Sequence, residues 1–321
     1  MVAIINKSKS NKKARNKTIK RTTLSRAAPF PIDVVYTWKG EETSTDRRLA
    51  YNHELKYSLR SVHFFAPWIR KIFILMNNAK QPSWIKDNSK IIIVEHSDTF
   101  PSDEYLPNTN SNAIETTIAN IKGLSNHYIY FNDDIFLGRK VKYTDFFTTD
   151  GKALIDDYTA HTRDIVKDGK NELKFELPKS ADKLYKHIPI SLIKNLVIDF
   201  NKTYSEYIHW IRSTKKRNDK GYDVCDKNNL LSPCQQIHYP IAEFMYLHKK
   251  AKLVDNENTA SVYVSSGTDD FSEKLDDIIA RRPKFFCIND VEPDPAKRKV
   301  IASQMLTFFN KYYPKKADFE K

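Results

Sequence analysis

A chain of 321 residues, 40% hydrophobic and 12% aromatic, is long enough to bury a sizeable core, and its 7 glycines exclude collagen-like or propeller repeats. The net charge of +13 is unevenly placed, because residues 1–30 hold nine Lys/Arg and no acid. Taking those nine from the 53 basic residues leaves 44 against 40 acidic ones, so the basicity belongs to a tail rather than to the main body.

The tail, KSKSNKKARNKTIKRTT, is polar and poor in apolar residues and is expected to be disordered. Its chemistry suits an anionic membrane surface or another polyanion such as nucleic acid, or a solvated leader with no partner. After Pro31, Ile32-Asp33-Val34-Val35-Tyr36-Thr37-Trp38 reads as a strand buried on both faces, as in parallel sheets. Asp46 to Phe65 reads as a helix with Leu55, Leu59 and Val62 at helical spacing, ended by Pro67. Strands are expected at Lys71–Met76 and Ile91–Val94, and a helix from Asn112 to Leu124 behind the cap candidates Asn110, Ser111 and Asn112. Strand, helix, strand, strand, helix, strand is the pattern of an α/β fold with a largely parallel sheet.

Next comes the stretch HYIYFNDDIFLG, residues 127–138. An apolar β run, Tyr128–Phe131, stops at Asn132-Asp133-Asp134. Adjacent carboxylates at the end of a buried strand lie where open α/β sheets place ligands. They repel unless a proton or cation sits between them, and a divalent metal holding a diphosphate would resolve that. The competing reading is a plain turn, since Asn and Asp are turn formers.

Beyond Val141 the pattern weakens, and residues 152–180 read as loops and short strands. Helices are expected at Pro189–Phe200, Tyr204–Ile211 and Ile237–Lys249, with a polar insertion over 212–236, so that 185–250 forms a helical elaboration. Ser261–Val264 and Phe285–Ile288 read as strands, the second stopping at Asn289-Asp290. Asp294-Pro295 is a cap and first-turn pair for a last helix carrying Ile301, Met305, Phe308 and Tyr312. No linker interrupts 31–321, which reads as one catalytic-sized domain after the 1–30 tail.

Three cysteines, Cys225, Cys234 and Cys287, without a CxxC, give no disulfide framework and fit a reducing compartment. Cys225, Cys234 and His238 match no standard zinc spacing. The Met1–Asn6 apolar run is too short for a signal peptide, and no stretch approaches the ~20 apolar residues of a membrane span. The expected location is cytoplasmic, with peripheral membrane contact through the tail as an option.

Several residues have two readings. Asn112-x-x-Glu115 resembles a capping box, in which Glu115 bonds back to the cap, yet Glu115 also precedes the central strand as a catalytic candidate. His187 stands at the entrance of an expected helix. Arg60, Arg70 and Lys71 flank the first helix, either to meet phosphates or as ordinary paired charges.

The residues also carry a resemblance. The segment from Ile32 to Trp38 resembles the first motif region of the Stealth family of sugar-phosphate transferases. Glu54–Ser61, Ala66–Ile72, Leu106-Pro107, Asn110–Glu115 and Tyr130–Asp134 resemble the second region. Lys186–Pro189 is similar to the third, and Phe286–Asp290 with Phe308–Pro314 and Phe319-Glu320 to the fourth. The resemblance implies a Rossmann-like, glycosyltransferase-A-like α/β fold. It also implies Mg²⁺- or Mn²⁺-dependent transfer of a hexose-1-phosphate from a UDP-sugar to a glycan hydroxyl, with UMP released. The implied catalytic set is Glu115, Asp134, His187 and a downstream Arg, assigned to Arg217 with Arg212 as the alternative. Asp133 and Asp134 would hold the metal. Asp33, Arg60, Asn110, Asn112, Asn132, Asn289 and Asp290 are the donor-binding candidates. Two departures stand out: the first motif continues Trp38-Lys39-Gly40-Glu41 where the family has Trp-Val-Asp/Asn-Gly, and Ile190 replaces a second His. The alternatives are a true glycosyltransferase releasing UDP and a non-catalytic glycan-binding homologue.

Overall fold

The computed structural model describes residues 27–40, 52–156, 187–216, 236–254, 261–290, 292 and 294–321. The central sheet is built from β1 (Ile32–Thr37), β2 (Ile72–Met76), β3 (Ile91–Glu95), β4 (His127–Asn132) and β7 (Ile190–Ile193). Their spatial order is β3-β2-β1-β4-β7, with the first four parallel and β7 antiparallel to β4. Strand order reverses between β1 and β4, so a crevice opens outside their carboxyl ends, where such sheets place ligands. The apolar runs of β1 and β2 reflect burial on both faces.

A second sheet joins β5 (Ile135–Leu137), β10 (Phe285–Asn289) and β9 (Ser261–Ser265), while β6 (Ala153–Asp156) pairs with β8 (Ala251–Val254). Because β4 and β5 flank the Asp133-Asp134 turn, that turn joins the two larger sheets. Gly138 closes β5 against the chain before β10, and a Cβ there would meet the Pro283 carbonyl at 2.1 Å. Only glycine allows that approach.

Helix α1 (Glu54–Phe65) is fastened to β5 through buried serines. Ser58 Oγ donates to the Ile135 carbonyl at 2.5 Å, and the Leu137 N–H donates to Ser61 Oγ at 3.0 Å. Buried hydroxyls need such partners, and here they fix where the first turn of α1 points. The core forms two clusters, one around the central sheet and one around β9 and β10 with α6 (Phe271–Arg281) and α7 (Pro295–Tyr312). Asp294 caps α7, accepting from the Ala296 N–H at 2.9 Å, with Pro295 in the first turn as the sequence suggests.

Two expected helices are wrong in part. Asn112–Leu124 is instead a short α2 (Ser111–Glu115) followed by a 3-10 turn at Ile118–Asn120. Thr116 and Thr117 turn their hydroxyls back to the Ala113 and Ile114 carbonyls, the local competition that weakens helices at threonine. Pro189–Phe200 divides into strand β7 and helix α3 (Lys194–Thr203), because Ile190–Ile193 pairs with β4 before the helix begins. Helices α4 (Ser205–Ser213) and α5 (His238–Leu247) complete the elaboration. The basic tail up to residue 26, the first turns expected at 46–51 and most of the polar insertion lie outside the described residues.

Candidate active site

The carboxyl ends of β1 and β4 meet with Thr37 opposite Asn132, which sets Trp38-Lys39-Gly40 beside Asp133-Asp134. Gly40 takes φ 111°, a backbone state that favours glycine, and turns the chain away after Lys39. Into the same space α1 directs Glu54. His53, the residue before it, sits at φ 67°, and the bend lets Glu54 Oε2 accept from the Asn52 N–H at 2.6 Å. From β10 comes Asp290, accepting from Asn52 Nδ2 at 2.9 Å and Ser266 Oγ at 2.6 Å.

Four carboxylates therefore act on one another. Burial and the neighbouring Asp134 charge push Asp133 up to about 7, with Lys39 offsetting part of that. Burial, Asp133 and Asp290 push Glu54 up to about 8. Asp134 is also raised by burial, against the opposing pull of His187 and a hydrogen bond from Cys287 Sγ at 3.3 Å. Asp134 Oδ1 is buried with no hydrogen-bond partner among the described residues. Buried acids that raise one another's pKa favour a proton or a cation between them. The donor set, oxygen-only apart from Cys287 and His187 at its rim, fits a hard divalent cation such as Mg²⁺ at Asp133 and Asp134.

A second network centres on Tyr130 of β4, whose phenol lies 2.9 Å from Thr37 Oγ1, 3.1 Å from Glu115 Oε1 and 2.6 Å from Asn132 Oδ1. The phenol has one proton and can accept two hydrogen bonds. The hydroxyl points its one proton at Asn132 Oδ1 and Glu115 Oε1, which both accept, and Thr37 Oγ1 can donate to the phenol oxygen. Burial and the Glu115 charge hold the phenol well above its usual range. On the far side of Glu115, His238 Nδ1 lies 3.5 Å from Oε2.

Glu115 is not a capping-box residue. The cap of α2 is Asn110, accepting from the Asn112 N–H at 3.1 Å, and Glu115 is the last helical residue. Asn110 and Asn112 hold this segment in place rather than lining the acidic crevice. Asn110 Nδ2 donates to the Thr214 carbonyl at 2.9 Å, and Asn112 Oδ1 accepts from the Ile237 N–H at 3.4 Å. Arg212 braces the residue after Glu115, donating to Thr116 Oγ1 at 2.9 Å and its carbonyl at 3.2 Å. Arg217 lies outside the described residues, as do Cys225 and Cys234.

Two other donor-binding candidates are committed elsewhere. Asp33 is buried near the amino end of β1, where it pairs with Arg70 (Nε–Oδ1 2.9 Å) and accepts from the Lys71 and Ser125 N–H groups. Arg60 is buried in a bidentate pair with Glu320 (Nη2–Oε2 2.6 Å) and donates to the Tyr313 carbonyl at 2.7 Å. Asn289 Nδ2 donates to Tyr263 Oη at 2.5 Å, and the Tyr263 ring lies 5.4 Å from that of His187. The structure thus brings Asp133, Asp134, His187, Asn289 and Asp290 to one crevice with Glu115 and Asn132 on the Tyr130 network beside it. Lys39, Glu54, Tyr130, His238 and Cys287 were not among the site candidates read from the sequence. Glu54, Tyr130 and Cys287 fall inside the motif segments, and only that placement hinted at them.

An open groove of about 1040 Å³, solvent space included, continues from Lys39 past the ends of β1 and β2, lined by Trp38, Gly40, Met76, Asn78 and Lys80.

A Rossmann-like parallel sheet with a carboxylate-rich crevice at its switch point defines the class: an α/β protein built to hold a charged ligand. Residues 48–155 match Stealth protein CR2, conserved region 2, and residues 276–321 match Stealth protein CR4, conserved region 4. In these two regions the chain is similar to the Stealth proteins. Among curated relatives, an exopolysaccharide phosphotransferase of Streptomyces coelicolor is 29% identical, over 91% of this chain and 53% of that protein. The exopolysaccharide phosphotransferase CpsY of Mycobacterium leprae is 28% identical, over 91% of this chain and 57% of that protein. The chain thus spans about half the length of these relatives. Mouse xyloside xylosyltransferase 1 superposes with a TM-score of 0.41 at 10% identity, covering 81% of this chain and 98% of that one, too loose a likeness to bear on function. No helix among the described residues is long and apolar enough to cross a membrane.

Proposed function

We propose that the protein transfers a hexose-1-phosphate, of the N-acetylhexosamine class, from a UDP-sugar to a hydroxyl of a glycan, forming a phosphodiester and releasing UMP. The observation that carries this reading is the convergence of Glu54, Asp133, Asp134 and Asp290 at the strand-order reversal, where burial and mutual repulsion raise Glu54 and Asp133. Relatives named exopolysaccharide phosphotransferases support the same chemistry.

Asp133 and Asp134 would hold Mg²⁺ or Mn²⁺, which when bound neutralises charge on the diphosphate. The groove beside Lys39 and Lys80 receives the nucleotide. The acceptor oxygen attacks the sugar-bearing phosphorus, the bond from that phosphorus to the UMP oxygen breaks, and the acceptor proton passes to a base. His187, beside Asp134 at the rim of the crevice, is the candidate for that base. Glu115, held by Tyr130, orients the acceptor hydroxyl. Phosphoryl transfer asks for positioning and charge neutralisation above all, and these residues supply both. Arg217 remains the candidate for a phosphate contact, and the basic tail a candidate for an anionic surface.

A panel of UDP-sugars with Mg²⁺ and a glycan acceptor, scored for nucleotide product, tests the reading. UMP is expected. UDP would show attack at the sugar carbon instead, and turnover of no donor alongside intact glycan binding would leave only a binding protein. Asp134→Asn is expected to lower UMP release about a thousandfold, equivalent to about 4 kcal/mol of barrier, with the fold retained by circular dichroism.

A further inference from the structure

One cluster at the rim of the crevice mixes three ligand chemistries. Asp134 from the β4–β5 turn, His187 from the approach to β7 and Cys287 from β10 each offer one ligand atom, and these atoms lie within 4.8 Å of one another. Cys287 is fully buried and its Sγ lies 3.3 Å from Asp134 Oδ2. The other carboxylate oxygen, Asp134 Oδ1, is buried without a hydrogen-bond partner among the described residues. That orphaned oxygen is independent of the thiol contact and needs a donor or a cation.

Sulfur decides which cation. Magnesium takes oxygen ligands in near-octahedral geometry and gains nothing from a thiolate. Zinc is bound by sulfur, imidazole nitrogen and carboxylate oxygen at about 2.0–2.3 Å, which puts tetrahedral ligand atoms about 3.5 Å apart. Closing the present cluster to that spacing needs shifts of about 1 Å, within the reach of side-chain rotation. Three protein ligands also leave a fourth position open, as in zinc sites that are not purely structural.

We propose that Asp134, His187 and Cys287 form a three-ligand site for a borderline-soft divalent cation, Zn²⁺, separate in chemistry from the hard-cation site but sharing Asp134 with it. Binding releases the thiol proton to solvent and replaces the S–H···O contact by two metal–ligand bonds. Since Asp134 is shared and His187 is engaged, zinc here excludes the hard cation and blocks turnover. That consequence rests on the function proposed above; the existence of the site does not.

The test uses the full chain with Cys225→Ser and Cys234→Ser, so that Cys287 is the only thiol, titrated with Co²⁺ as a spectroscopic stand-in for Zn²⁺. A near-ultraviolet sulfur-to-cobalt charge-transfer band is expected, bleached by stoichiometric Zn²⁺ and left in place by a hundredfold excess of Mg²⁺. Cys287→Ser is expected to abolish the band, and His187→Ala to weaken Co²⁺ binding at least tenfold. Absence of the band, its displacement by Mg²⁺, or an unchanged affinity in His187→Ala would each overturn the proposal. Should Cys287→Ser not fold, the His187→Ala titration decides alone, because His187 lies at the rim and not in the core. Zinc inhibition of UMP release is a separate readout, whose failure with the band present would count against the assigned role of Asp134 and not against the site.

Discussion

The two ends of β1 treat carboxylates in opposite ways. At the amino end, Asp33 is buried with a guanidinium and two backbone N–H groups to satisfy it. Behind α1, Glu320 is matched just as fully by Arg60. At the carboxyl end, Glu54, Asp133, Asp134 and Asp290 press on one another, with Lys39 opposing the rise of Asp133 and His187 that of Asp134. Paired charges hold the fold together, and the crowded ones store repulsion that a bound cation would relieve. The difference separates the scaffold from the site without reference to any relative.

Breaking the scaffold side should give the largest change in stability. Arg60→Ala leaves Glu320 buried without its guanidinium, and removal of one partner from such a pair costs about 3–5 kcal/mol. Urea denaturation followed by circular dichroism is expected to show that loss, and a cost below about 1 kcal/mol would contradict the structural role.

Relieving the crowded side should act in the other direction. Glu54 and Asp133 titrate at about 8 and about 7 in the fold, above their unfolded values of 4.5 and 3.8. The folded state therefore binds more protons through this interval. The stabilisation is fully present below about pH 4 and is lost as pH rises through about 7 to 8. Glu54→Gln is expected to stabilise the protein at pH 8 by about 2 kcal/mol in cation-free buffer, and to change little at pH 5. Paired denaturation curves at the two pH values check both the sign and the window.

The same repulsion should make Mg²⁺ stabilising. A rise in melting temperature on adding millimolar Mg²⁺ is expected to be larger at pH 8 than at pH 6, since protons compete for the carboxylates at the lower pH. Asp133→Asn should remove most of the rise, and thermal scans with and without EDTA would reveal it. The smallest effect is expected at the network beside the crevice. Tyr130→Phe removes one hydroxyl shared by Thr37, Glu115 and Asn132, at a cost of about 1 kcal/mol by urea denaturation.

How legible each part was follows from the range of the interaction that fixes it. Strands β1, β2 and β4 were readable because burial on both faces writes an apolar run directly into the chain. The start of α7 was readable because Asp294-Pro295 acts within one turn. Helix α2 was overread: Ile114, Ile118 and Ile121 keep helical spacing, but threonine back-bonding ends the helix at Glu115. Strand β7 was missed because only its pairing with β4 distinguishes it from the first turn of a helix.

The site divides in the same way. Asp133-Asp134 and Asn289-Asp290 were visible as polar stops after apolar strands. Arg60 looked like a phosphate ligand because an arginine has the same spelling whether it meets a phosphate or a carboxylate, and its partner Glu320 lies 260 residues away. Glu54 fell inside the helix expected over Asp46–Phe65, and only the observed α1, beginning at Glu54 and fixed to β5 by Ser58 and Ser61, aims it at the crevice.

The sequence by itself determined the parallel-sheet architecture and the acidic stops at two strand ends, since periodicity and residue type act over a few positions. Only the tertiary structure decided which charges meet an opposite charge and which meet their own kind, because that depends on contacts made across the whole chain.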